Sequence, residues 1–520
     1  MSQSTGTAAP AAGAPRRSGP WKIATAAMIG TSVEWYDFGI YATAAALVFP
    51  ELFFPEMSRA LGTVMSFATL FVGALGRPLG AVLFGHIGDR HGRKKALIWS
   101  MTLMGAATVC IGLLPTYHQI GVLAPLLLVL IRMIQSLAVG GEWGGAVLFA
   151  VEHAPPRRKA FFGSFPQVGD GVGYFLSTGA FALTALLGHD ALADWAWRVP
   201  FLLSAVLVAV GLVIRRSMDE SPEFEAARRA EEAGGPAAGG KEPAPVIGVL
   251  RHAWRTWLLA TGAFLITVGG YYIVVTFMSS YAVSELGFTD AQAAAAGTAA
   301  SVVVIVCTPL SALFADRYGL RRVTLIGVLL HLVAAFPMFW LADTRSVTGL
   351  WLAMCLPMLA STIAYASLGT LASGWFAPRV RYTGLSMSFQ TAGLLGTLAP
   401  AATTWLYSSS GGSWVPVAVA FAAMAAVSAV CLMACRPAPD SVVSLDAPQA
   451  GTGVPVPACR CRPRRRVRTR PPAVRTMPPA SPGPADRRGT RPFPWAPPPT
   501  PSDPTPIPKE LPCAPHPTSS

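Results

Sequence analysis

Charge is what this sequence has least of. Asp, Glu, Lys and Arg make up 13% of 520 residues, where ordinary soluble domains carry about 25%. Hydrophobic residues make up 52%, and mean hydropathy is +0.47 despite 46 Pro and 50 Gly. Such a composition excludes a soluble enzyme, a coiled coil and disorder over most of the length. Acidic residues are the scarcer sign, 26 against 40 Lys and Arg, for a net charge of +14. The excess is uneven. From Arg436 onward thirteen basic residues face five acidic ones. The high pI is therefore largely a property of that tail and is no sign of a nucleic-acid partner.

Cysteine is also sparse. Five of the eight lie in apolar stretches and three in the tail, a pattern with no disulfide framework. Cys459 and Cys461 could begin a metal site, but nothing supplies further ligands. Nucleotide-binding loops and Ser/His/Asp arrangements are missing too. No cofactor is expected, and neither an enzyme nor an ATP-driven pump fits.

What remains is long apolar runs. A membrane span needs about 20 apolar residues. On that ruler there are about twelve, near 22–48, 62–85, 96–114, 121–150, 160–187, 198–214, 256–282, 292–314, 323–342, 348–373, 383–408 and 413–435. The fold class expected is all-α, polytopic, with two six-helix halves. Residues 1–20 form a polar N-terminus with no signal-peptide core. The first half covers 21–215, a linker 216–255, and the second half 256–435. The Pro/Arg-rich tail, 436–520, holds 24 of the 46 prolines and reads as disordered. Alternate short loops hold nearly all the Lys and Arg: Arg90 to Lys95, Arg157 to Lys159, the linker, Arg317 to Arg322, and Arg379 with Arg381. The opposite loops offer Arg59 and Arg345, with Arg198 at a span edge. That bias places both termini in the cytoplasm of a cell-membrane protein.

The halves repeat a phrase. Gly85-His-Ile-Gly-Asp89-Arg90-His-Gly92-Arg93-Lys94 follows the second span, and Ala312-Leu-Phe-Ala-Asp316-Arg317-Tyr-Gly319-Leu-Arg321-Arg322 follows the eighth. This resembles the loop signature of the major facilitator superfamily. Gly30-Thr-Ser-Val-Glu34-Trp35-Tyr36-Asp37-Phe38, Gly73 to Gly80, Arg132 to Gly144 and Glu220-Ser221-Pro222 resemble its metabolite:proton symporter branch. Members of that branch are similar to permeases for α-ketoglutarate, shikimate, citrate or proline/betaine. The resemblance implies the fold, alternating access and proton coupling. It also gives Asp89, Arg90, Gly92 and Arg93 a gating role, with Asp89 capping a neighbouring helix or pairing with Arg. Asp316 and Arg317 form a weaker twin, because Leu320 stands where an Arg is expected. Two residues depart from the pattern: Ser136 replaces a usual Gly, and Asp170 an apolar residue.

Ionisable groups inside spans are costly and therefore informative. At about 1.5 Å of rise per residue, Asp37, Arg132 and Asp170 fall near the midplane, and Glu34, Arg77 and Glu142 nearer the cytoplasm. Each trio has two acids and one Arg. The proton-coupling candidates are Asp37, Glu34, Asp170 and Glu142. Desolvation favours a neutral carboxyl and a neighbouring guanidinium a charged one, so the two together can poise it. Arg132 suits a substrate carboxylate through its two-pronged geometry. Tyr41, Gln135 and Gln167 share helical faces with these groups, and Tyr36 is a further substrate-binding candidate. The second half offers Tyr271, Tyr272, Tyr365 and Gln390, with Thr276 and Ser367, as ligand-orienting groups. The alternative is static ion pairs that hold helices together. His331 reads as a packing residue. The Gly140-Gly141 and Gly144-Gly145 pairs permit close helix contact.

The function expected is a proton-coupled symporter, acting as a monomer in the lipid bilayer, that imports a small organic acid or zwitterion. A drug or metabolite:proton antiporter and a transporter-like sensor are the alternatives. Phe165-Pro166-Gln167-Val168-Gly169-Asp170-Gly171 does not match the antiporter element of the fifth span. Reporter fusions after Ala191 and after Gly235 should read periplasmic and cytoplasmic respectively. The reverse pair would overturn the orientation.

Overall fold

In a bilayer every backbone N–H and C=O must be satisfied within the protein, and helices do so locally. The computed structural model describes residues 19–187, 191–221, 224–225 and 244–438, and among these no strand occurs. Most of the 1–20 segment, the centre of the linker and nearly all of the Pro/Arg-rich tail lie outside the described residues. The helices belong to one unit, Met1–Thr452; a second, Gly453–Ser520, also lies outside them.

The first half contains α1 (Pro20–Leu47), α2 (Arg59–His91), α3 (Arg93–Gly112), α4 (Leu123–His153), α5 (Phe165–Ala185) and α6 (Arg198–Arg216). The second contains α7 (Trp254–Tyr272), α8 (Asp290–Tyr318), α9 (Leu320–Ala334), α10 (Val347–Ser373), α11 (Arg381–Thr397) and α12 (Val415–Ala434). Eight of these twelve are apolar enough to qualify as spans by composition, counting α9 with its continuation Pro337–Asp343 across a 43° bend. The other four, α1, α2, α5 and α11, carry the interior Glu34, Asp37, Arg77, Asp170 and Gln390 or are short. Their polar residues face protein rather than lipid, whereas exposed Leu79, Phe175 and Val213 supply the lipid-facing surface.

The repeat seen in the sequence is a repeat of packing. Helix α1 lies on α5 as α7 lies on α11, α2 on α4 as α8 on α10, and α3 on α6 as α9 on α12. Between halves, α2 packs on α11 and α5 on α8. Breaks fall where the chain demands them. A π-helical stretch, Ile273–Phe277, follows Tyr271 and Tyr272, and Pro400 restarts the helix beyond α11 as Ala399–Ser409. The linker carries one helix the sequence reading lacked, Pro245–His252, whose Val249 packs with Ala81 and Met387.

The two copies of the repeated phrase adopt one geometry. Gly92 (φ 108°) and Gly319 (φ 103°) end α2 and α8, in a conformation that side chains resist. Each preceding Asp reaches into the other half. Asp89 accepts from the backbone N–H of Tyr382 (3.1 Å) and Thr383 (3.0 Å) and from the Thr383 hydroxyl (2.8 Å), at the start of α11. Asp316 accepts from the N–H of Ala160 (2.8 Å) and Phe161 (2.9 Å), at the start of a short helix before α5, Lys159–Gly163. A carboxylate here satisfies free amides at the positive end of a helix. The second cap has the two backbone bonds of the first but lacks its hydroxyl donor. The asymmetry lies beside it: Arg93 pairs with Glu152 (2.9 Å), while its counterpart Leu320 is buried in the apolar core.

Glycine sets how closely α2 and α4 approach. A Cβ on Gly80 would stand 1.9 Å from the Leu137 carbonyl oxygen, and one on Gly140 2.1 Å from that of Arg77. Neither neighbour is a side chain that could swing away. Gly80→Ala should therefore destabilise the purified protein by about 1–3 kcal/mol, read as a lower midpoint in detergent melting. Gly179→Ala, with nothing within 4 Å, should leave the midpoint unchanged. Equal melting of both variants would refute the close contact.

Candidate functional site

A cavity lies between the halves. The first half supplies Glu34 and Trp35 of α1, Arg77 of α2, Trp143 of α4, and Asp170 and Tyr174 of α5. The second supplies Tyr271 and Tyr272 of α7, Ser361 and Tyr365 of α10, and Phe389 and Gln390 of α11. Among these lining residues, every carboxylate and guanidinium comes from the first half.

The wall nearer the basic loops is aromatic. Trp143 stacks on Phe389 with centroids 3.7 Å apart and on Tyr365 at 5.8 Å. Below it α11 stays against the first half down to the Asp89 cap. A Cβ on Gly144 would overlap Ser386, and the Tyr382 hydroxyl donates to the Gly141 carbonyl at 2.8 Å. Arg381 lies 3.8 Å from Glu152. The hydrogen bonds of Asp89, Tyr382 and Asp316 that join the halves lie at this basic end. Arg90 and Arg317 are exposed there, the latter against the ring of Tyr318.

The polar groups of the cavity are incompletely engaged. Asp170 lies beside the Trp35 side chain. Its Oδ1, Glu34 Oε2 and Gln390 Oε1 have no hydrogen-bond partner among the described residues. Arg77 is half-buried, with its guanidinium 5.5 Å from the Phe38 ring centre. Its positive charge acts on Glu34. A buried polar atom without a partner is costly, so such atoms lining a cavity mark a place where a ligand can complete them.

Six of the expected residues thus meet at the cavity: Glu34, Asp170, Tyr271, Tyr272, Tyr365 and Gln390. The others lie elsewhere. Asp37 is 2% exposed and sits inside the first half, where the Thr108 hydroxyl donates to its Oδ2 at 2.5 Å. The Gln135 amide donates to Thr108 at 2.6 Å, and Arg132 donates to Gln135. Asp37 and Arg132 are therefore joined through two intermediaries. Arg132 also stacks on Tyr41 (4.2 Å), whose hydroxyl meets that of Thr69 (2.6 Å). Tyr36 faces α6 and donates to the Pro200 carbonyl at 2.7 Å. Gln167 faces its own helix start and, in the amide orientation its neighbours require, donates to the Gly163 and Ser164 carbonyls. Ser367 bonds Thr324 at 2.8 Å, and Thr276 is exposed.

Glu142 corrects the expected trios. It pairs with Arg215 and accepts from Ser100 at 2.7 Å, and Arg215 also donates to the Leu97 carbonyl at 2.6 Å. Arg215 stands in the last turn of α6. Its long side chain turns back into the bundle over Gly30, where a Cβ would collide with the guanidinium. No periodicity signals that turn. Arg77, released from Glu142, groups with Glu34 and Asp170. Glu152, Thr108 and the Trp143–Phe389 stack were also missed, although Trp143 stands within the Arg132 to Gly144 phrase.

Comparison with known proteins accords with this architecture. The family model for the Major Facilitator Superfamily matches residues 27–372 and 270–480. The inner membrane metabolite transport protein YhjE of Escherichia coli is 38% identical over 419 residues, 79% of this chain and 93% of that protein. The shikimate transporter of the same organism is 38% identical over 412 residues, with the same shares covered. A solved structure of the proton:xylose symporter XylE from E. coli superposes with a TM-score of 0.61 at 16% identity, covering 79% of this chain and 94% of XylE. The twelve helices in two repeated halves, the two Asp caps and the cavity between the halves are thus those of a multi-pass membrane transporter rather than an enzyme, and the chain belongs to the Major Facilitator Superfamily.

Proposed function

We propose that the protein is a proton-coupled symporter that imports a small organic acid or zwitterionic metabolite. The observation that carries the reading is the separation of two polar systems in the first half. Arg77, Glu34 and Asp170 stand at the cavity, where a carboxylate can meet the guanidinium and a cationic group the acids. Asp37 stands behind them in a water-poor interior, tied to Arg132 only through Thr108 and Gln135. A proton on Asp37 Oδ2 would take the place of the hydrogen that Thr108 donates, and Thr108 would have to turn. The turn would reach Gln135 and then Arg132. Such a chain lets protonation be felt by helices α1, α3 and α4 together.

Orientation follows from the Lys and Arg of alternate loops: the basic end faces the cytoplasm, and so do both termini. The two Asp caps close that side, which makes this the outward-facing state of an alternating-access cycle. Inward opening must break the caps at Tyr382–Thr383 and at Ala160–Phe161. Asp89, Gly92, Arg93 and Asp316 form that gate, with Arg90 and Arg317 at its rim.

Melting shifts of the purified protein with carboxylates, proline, betaines and shikimate would identify a solute, and proteoliposomes would then compare active uptake with counterflow. Asp37→Asn should abolish uphill uptake while counterflow survives; continued accumulation against a gradient would place coupling elsewhere. Arg132→Lys keeps charge but loses the fork, and should slow proton-driven uptake more than counterflow.

Asp89→Asn retains one acceptor oxygen where three donors converge. It should cut the uptake rate at least about tenfold, the kinetic equivalent of about 1.4 kcal/mol, with little change in melting midpoint. Wild-type kinetics in that variant would remove the gating role.

A further inference from the structure

His331 lies in α9, fully buried, one hydrogen bond behind the cavity wall. Its Nδ1 meets the Gly327 carbonyl oxygen at 2.8 Å and its Nε2 meets Ser361 Oγ at 2.8 Å, and Ser361 lines the cavity. A carbonyl only accepts, so Nδ1 carries a hydrogen. The ring is enclosed beside Phe421, at 5.9 Å, with no carboxylate among its partners in the described residues, and a lone buried charge there would be costly. The imidazole is therefore neutral, and Nε2 holds a lone pair. Ser361 must spend its only hydrogen on Nε2. What it shows to the cavity is an oxygen that accepts and cannot donate.

Gln390 adds a second unpaired acceptor oxygen from α11. The residue is 1% exposed, it lines the cavity, and its Oε1 has no partner. Ser361 and Gln390 thus stand on the second half's side of the cavity, and Arg77 and the acids on the first half's.

We infer that His331 is a positioning residue which fixes Ser361 as a hydrogen-bond acceptor, and that the transported solute carries a hydroxyl or N–H donor in addition to its carboxylate. This rests on the cavity being the substrate site, as proposed above. A donor reaching Ser361 completes a chain from solute to Ser361 to His331 to the Gly327 carbonyl. A solute without a donor leaves two buried oxygens unpaired, the situation in which polar sites discriminate strongly.

The test uses the full chain and matched probe pairs: malate against succinate, which differ by one hydroxyl, and proline against N,N-dimethylproline, which differ in the N–H hydrogens. Binding is read by melting shift and calorimetry. In the wild type the donor-bearing member of a pair should bind at least about tenfold more tightly, about 1.4 kcal/mol. Ser361→Ala should reduce that preference to within about twofold. His331→Phe keeps the ring volume but frees the Ser361 hydrogen, and should lose the preference through KM with kcat little changed. His331→Asn, which restores an acceptor, should recover part of it. Unchanged preference in folded Ser361→Ala or His331→Phe overturns the inference, as does a wild type that binds both members equally. Binding without preference would leave the proposed function standing. No response to any carboxylate or zwitterion would sink both.

Discussion

Two carboxylates hold the halves of this protein together in the state described. Asp89 caps the start of α11 and Asp316 the start of the helix that leads into α5, each reaching from its own half into the other. The arrangement is strong because both partners need it. A helix start has amides with no intrahelical acceptor, and a carboxylate near a bilayer needs donors that are already fixed in place. It is also breakable, since an exposed helix start and a carboxylate can each be satisfied by water once the end opens.

Between those caps and the cavity, the helices are sealed by contact rather than by charge. Tyr382 reaches Gly141, Ser386 fills the space over Gly144, and Phe389 stacks on Trp143. Glycines on α4 make that line of approach possible, and the aromatic stack ends it as the cavity wall. The two halves then divide the chemistry. The first brings all the lining carboxylates and the guanidinium; the second brings hydroxyls, an amide and aromatic rings. Charges confined to one half can respond to a proton without disturbing the shape that the other half presents.

Much of this was legible in the chain. The long apolar runs, the repeated Asp-Arg-x-Gly phrase and the lack of Asp, Glu, Lys or Arg deep in the second half's spans are one-dimensional signals, and the helices, the paired caps and the one-sided cavity correspond to them. Helical spacing was a poorer guide to partners. It put Arg77 with Glu142, yet Glu142 is taken by Arg215 from the end of α6, a pairing that depends on a gap at Gly30. It put Arg132 in the substrate site, yet Tyr41 and Gln135 hold it inside the first half.

The sequence by itself determined that this is a membrane-embedded helical transporter built as a duplicated pair. Span length, hydropathy and the internal repeat are properties of consecutive residues, and a bilayer turns them directly into structure. Which buried acid meets which Arg, which side chains reach the cavity, and what His331 does to Ser361 were decided only by the tertiary structure. Those outcomes depend on where helices distant in the chain cross, and on distances of a few ångströms. A helical face specifies a direction within one span but leaves open which neighbour stands there.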